Sequence, residues 1–139
     1  MNLEEVYVGF HAPARDPLTS ILGHVEAWGY TADETWVFLN PEHDRLKVSA
    51  LHRHDEVEAA LAHRFHHCRL ILRTRPERAL RVPLLPPMTC AAVCGHLAGL
   101  RAFTPWGLRA QLLRAGAEIV HEKSEGPEGR PEGQGRARA

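Results

Sequence analysis

The chain has 139 residues, enough for one domain with a single hydrophobic core that needs no metal or disulfide staples. Lysine plus arginine equals aspartate plus glutamate at 17 each, so net charge argues for neither a nucleic acid nor an anionic membrane as partner. Cys68, Cys90 and Cys94 are an odd number of cysteines in no scaffold spacing, which reads as reduced thiols and a cytoplasmic location.

The N-terminal Met1-Asn2-Leu3-Glu4-Glu5 is acidic and lacks the basic and apolar regions of a signal peptide, and no apolar run approaches the roughly 20 residues needed to span a bilayer. Residues 6–10 read as a first strand, 11–16 as a Pro-containing loop, and 17–22 as a short helical turn ended by Gly23. A hairpin follows: a strand over 24–30, a three-residue turn at Thr31, Ala32 and Asp33, and a strand over 34–40 stopped by Pro41. The alternation in 46–51 makes another strand. Residues 55–67 read as a helix. Val57, Leu61, Arg64 or Phe65, and Cys68 fall near one face, and Asp55 and Glu56 sit in the first turn as the dipole prefers.

Leu70-Ile71-Leu72 is a short apolar strand, and 73–87 is a basic, Pro-punctuated connection with an edge strand expected at 80–82. A helix over 90–97 comes next, with Val93 and Leu97 as core positions and Gly95 and Gly99 letting its backbone lie close to a sheet. Thr104-Pro105 starts another helix, cap plus proline at N1, which stops at Gly116, and 117–120 returns as a last strand. The expectation is an α+β domain over 1–121, an antiparallel sheet with a cysteine-bearing helix packed on it. Residues 122–139, rich in Gly, Pro and charge, cannot bury a core and are expected as a disordered tail.

Cys90 stands out chemically. Leu85-Pro86-Pro87-Met88-Thr89 is a stiff approach to a helix start, with Thr89 where an N-cap belongs and Cys90 as the first helical residue. The positive end of a helix favours an anion there, so the thiol should ionise more readily and attack at neutral pH. A base must come from elsewhere in the fold, and His24, opening a predicted strand, is the candidate. With the turn at 31–33, Trp28 faces Trp36 and His24 faces Asn40, whose carbonyl can then fix the imidazole's tautomer and orientation. A loop of another length changes that pairing.

Gly23-His24-Val25-Glu26, then Trp36-Val37-Phe38-Leu39-Asn40-Pro41, then Thr89-Cys90, with Thr104-Pro105-Trp106-Gly107-Leu108 trailing, resemble circularly permuted NlpC/P60-like members of the papain-fold cysteine hydrolases. The match is to the small phage- and prophage-encoded kind and covers roughly residues 6–120. The resemblance implies a nucleophilic Cys heading a helix on an antiparallel sheet, with the base His preceding it in the permuted order. By motif position this carries over to Cys90, His24 and Asn40 as catalytic residues. It implies a thiol-dependent amidase or peptidase acting on cell-wall peptide or another amide, without cofactor, and a catalytically inactive structural or interaction module with virion or prophage partners as the alternative. The residues flanking Cys90, Met88-Thr89 and Ala91-Ala92, depart from those of the unpermuted peptidases.

Other signals point elsewhere. His52, His54, His63, His66, His67 and Cys68 cluster in sequence, and His63 and His67 stand at i, i+4, a spacing that can bind zinc. His66 points the other way and no second ligand pair has finger spacing, so a solvated histidine face, with no metal site, is the expectation. Cys68 and Cys94 read as small core hydrophobes. The arginines at 69, 73, 75, 78 and 81 lack interleaved aromatics, which argues against a nucleic-acid surface.

Overall fold

The computed structural model describes residues 3–18, 23–42, 44–76 and 89–123. Among these, the chain forms β1 (Leu3–Phe10), β2 (Val25–Thr31), β3 (Trp36–Pro41), β4 (Leu46–Leu51), α1 (His54–His67), β5 (Leu70–Thr74), α2 (Cys90–Leu97), α3 (Pro105–Arg114) and β6 (Glu118–Glu122). The strands pair antiparallel throughout in one sheet of order β4-β3-β2-β1-β5-β6. The α+β architecture expected from the alternation of strands and helices is therefore present.

Period-two alternation sends successive side chains to opposite faces, and each face has its own cover. On one face Val6, Val8 and Phe10 of β1, Val25 and Ala27 of β2, and Leu70 and Leu72 of β5 pack against Ala91, Cys94 and Ala98 of α2 and Leu108 and Leu112 of α3. On the other, Trp28, Phe38 and Ile71 pack with Cys68, with Ala60 and Leu61 of α1 against them. Being covered on both sides, β1 and β2 are buried along most of their length.

The inner face of α2 differs from the expected one. Val93 and Leu97 are only half-buried, and the fully inward residues are the smaller Ala91, Cys94 and Ala98, which let the helix axis approach the sheet. A Cβ on Gly95 would meet Leu108 Cδ1 at 3.2 Å and the Leu100 carbonyl oxygen at 3.3 Å. Its missing side chain thus makes room for α3 and the connection before it, rather than for the sheet. On α1 the choice between Arg64 and Phe65 for the inward stripe falls to Arg64, while Phe65 is 36% exposed.

The last strand runs to Glu122, past the boundary set at 121, and Lys123 N–H bonds the Arg69 carbonyl at 2.8 Å. The rest of the expected tail and the edge strand at 80–82 lie outside the described residues, as does the turn at 17–22 beyond Leu18. Within the basic stretch, Arg73 pairs with Glu118, and Arg75 with the buried Glu5 at 3.0 Å, so two of its charges are already matched. No helix among the described residues is long and apolar enough to cross a membrane.

Candidate active site

The site forms where α2 begins, at the end of the sheet shared by the last residues of β1 and β3 and the first of β2. Thr89 is extended, its hydroxyl accepts the Ala92 N–H at 3.1 Å, and it donates to the Phe103 carbonyl at 2.8 Å. This cap, worth about 1 kcal/mol in typical hosts, fixes Cys90 as the first helical residue. It also ties the α2 start to the segment carrying Phe103 and Trp106, both of them exposed. Cys90 Sγ points toward the Gly23 carbonyl oxygen at 3.9 Å, a long contact suited to a weak S–H donor.

His24 directly precedes the first ladder residue of β2. Its Nε2 lies 2.6 Å from Asn40 Oδ1. A carbonyl oxygen only accepts, so Nε2 carries the proton and Nδ1 of the neutral ring is left basic for the thiol. The contact is present although the expected register is not. The hairpin loop is Ala32, Asp33 and Glu34, one residue later than predicted, closed by Thr31 N–H bonding the Thr35 carbonyl at 3.0 Å. Glu34 takes the left-handed conformation (φ 61°) that a three-residue loop requires at its last position. The ladder therefore pairs Tyr30 with Trp36 and Trp28 with Phe38, not Trp28 with Trp36. Continued outward, it sets Glu26, not His24, opposite Asn40. A two-residue slip keeps every side chain on its face, and His24 reaches Asn40 as a diagonal neighbour.

Cys90 and His24 act on each other's protonation. Burial alone would push the Cys90 thiol up, yet its pKa is lowered overall, because the His24 ring and the N–H groups of Val25 and Ala91 stabilise the thiolate. His24 moves the opposite way: the Cys90 thiol raises its pKa most, burial opposes, and Asn40 and Glu26 add to the rise. The other two cysteines behave as core residues. Burial pushes Cys68 up to about 12 and Cys94 well above the ordinary thiol value. Of the three thiols, only that of Cys90 is set up to ionise.

Two more residues belong to the neighbourhood. Glu26, 5% exposed, accepts from His11 Nε2 at 2.6 Å and lies 2.9 Å from Arg64 Nε, the latter an ion pair rather than a directed hydrogen bond. The His11 ring meets the His24 ring edge-on at 4.9 Å between centroids. Sequence reasoning passed over Glu26 and Arg64, yet there was a signal. An acid two residues along the strand from His24 shares its face, and an arginine on the inner stripe of α1 needs a buried anion.

Among the described residues, His11, His24 and Glu26 are the group whose nitrogen and oxygen ligand atoms come within 4.8 Å of one another, the approach a metal would need. Both Glu26 oxygens are already engaged, one by the Arg64 cation, which repels a divalent ion, so these atoms read as a hydrogen-bonded network. The helical histidines are exposed, with His63 and His67 rings 4.2 Å apart, and gather no third ligand among the described residues. Comparison of the chain with protein-family models, curated proteins and solved structures finds no match.

Proposed function

We propose that the protein is a papain-like cysteine hydrolase of the circularly permuted NlpC/P60-like type, an amidase or peptidase with Cys90 as nucleophile, His24 as base and Asn40 as the residue that orients it. The observation that carries this reading is the His24 ring, held at Nε2 by Asn40 at 2.6 Å while its protonation is coupled to the Cys90 thiol. The chain order, base before nucleophile, and the sulfur at a capped helix start on an antiparallel sheet support it further.

The chemistry follows from the residues. His24 Nδ1 takes the thiol proton, giving thiolate and imidazolium. The sulfur adds to the carbonyl carbon of an amide, forming a C–S bond and an oxyanion that the positive N-terminal end of α2 favours. The C–N bond then breaks as imidazolium gives its proton to the leaving amine. Water attacks the thioester, His24 takes the water proton, the C–S bond breaks, and the free acid and the resting thiol return.

The direct test is alkylation by iodoacetamide across pH, with each cysteine followed by mass spectrometry. At pH 6 Cys90 should react well ahead of Cys68 and Cys94, since the thiolate is the attacking species. Uniformly slow reaction of all three would end the assignment. Asn40→Ala should leave the melting temperature nearly unchanged, because it removes one half-buried polar group and no core volume. It should lower hydrolytic turnover by roughly 10- to 100-fold through loss of ring orientation. A variant as active as the wild type would remove Asn40 from the site.

A further inference from the structure

Behind His24 stands a carboxylate that the cycle above does not use. We propose that Glu26 is a positioning residue of this site: its carboxylate, anchored by Arg64 and His11, sustains the positive charge on His24 and holds His11 against the ring. The inference rests on the proposed Cys90–His24 pair and adds to it a charged support reaching back to α1.

The geometry is specific. A carboxylate this deeply buried would take up a proton unless matched, and burial does push Glu26 upward. It is matched at both oxygens, by Arg64 Nε at 2.9 Å on Oε1 and His11 Nε2 at 2.6 Å on Oε2, and stays ionised. Arg64 is itself fixed, its guanidinium 4.2 Å above the Phe38 ring and its Nη1 donating to the Ala60 carbonyl at 2.9 Å. A Glu26 oxygen and a His24 ring nitrogen lie within 4.8 Å of each other. His11 holds His24 twice, by its ring at 4.9 Å and by its N–H to the His24 carbonyl at 3.0 Å.

The groups facing His24 are Cys90 from α2, Asn40 from β3, Glu26 from its own strand, His11 from the end of β1, and Arg64 from α1 through Glu26. The carboxylate and the thiolate favour the imidazolium, and Arg64, farther away, opposes it. Removing the Glu26 charge therefore lowers the pH at which His24 loses its proton. Removing Arg64 does not.

The experiment is an NMR titration of the His24 ring in the full chain, run alongside thermal melts and Cys90 alkylation. In Glu26→Gln the His24 midpoint should fall by about one pH unit, the lower end of what one nearby charge produces. Glu26→Asp, which keeps the charge, should stay near the wild-type midpoint. Should Glu26→Gln strand Arg64 and fail to fold, Glu26→Gln/Arg64→Met removes both charges, and its midpoint should still fall, by less. A residue with a structural role alone would change the melting temperature and leave the midpoint where it was; that result in a folded variant overturns the proposal. If instead the wild-type midpoint does not move when Cys90 is alkylated, the Cys90–His24 pair is what fails, a separate outcome.

Discussion

His24→Ala should slow iodoacetamide alkylation of Cys90 at pH 6 by on the order of tenfold or more. Without the ring, burial is left to push the Cys90 thiol upward against two backbone N–H groups, and the thiolate fraction at pH 6 drops steeply. A thiolate of higher pKa is intrinsically more nucleophilic, which recovers part of the loss and keeps the alkylation effect smaller than the change in thiolate fraction. Amide hydrolysis has no such compensation, because the same ring must also protonate the leaving amine, so turnover should fall by roughly 10²–10⁴-fold. The pH profile follows from the two shifts. Below the folded-state pKa of Cys90, which is lowered, the nucleophile is protonated; above that of His24, which is raised, the acid is lost. Turnover should therefore be bell-shaped, with both limbs belonging to the Cys90–His24 pair as a unit. His63→Ala, on the exposed face of α1, should change neither rate nor profile, and a loss there equal to that of His24→Ala would sink the assignment.

The parts of this site that were legible in the sequence are those with local causes. Thr89 as cap and Cys90 as first helical residue follow from a proline-led helix start, and the structure shows the Thr89 hydroxyl on the Ala92 N–H. Asn40 beside His24 depended on side-chain parity alone, so it survived a turn displaced by one residue. What parity could not supply is the pairing itself. Strand alternation does not distinguish Thr31 from Ala32 as the first loop residue; the choice is made by side-chain bonding inside the turn, where Thr31 and Thr35 close the loop and the Asp33 carboxylate is lowered by its bonds to those two threonines. The inward residues of α2 were misjudged because larger apolar residues were given the core. The helix instead lies too near the sheet for them, and alanine and cysteine take the inner face. Glu26 and Arg64 are joined across 38 positions, a pairing that only the folding of α1 onto the sheet creates.

Trp28→Ala should be strongly destabilising, costing about 3–5 kcal/mol. Trp36 is only half-buried, whereas Trp28 is fully buried, stacked parallel to Tyr7 at 6.0 Å and packed with Phe38, Cys68 and Ile71. The sheet is shaped around this ring: a Cβ on Gly9 would lie 2.7 Å from Trp28 Cζ3 and 2.6 Å from Cys68 Sγ, distances no packed carbon adopts. Its neighbours therefore cannot collapse into the space that alanine would leave without moving β1. Typical domains are stable by only about 5–15 kcal/mol, so the variant should melt on the order of 10 °C or more below the wild type. Trp28→Phe should cost visibly less, since it keeps most of the ring and removes an indole N–H that has no hydrogen-bond partner among the described residues. Thermal melts of Trp28→Ala, Trp28→Phe and Trp36→Ala check the order, and a Trp36→Ala loss exceeding that of Trp28→Ala would contradict the packing. Well below the melting temperature of Trp28→Ala, its folded molecules should still alkylate at Cys90, because the ring packs on the sheet face opposite α2 and reaches the site only through Arg64, whose guanidinium lies 5.9 Å from it.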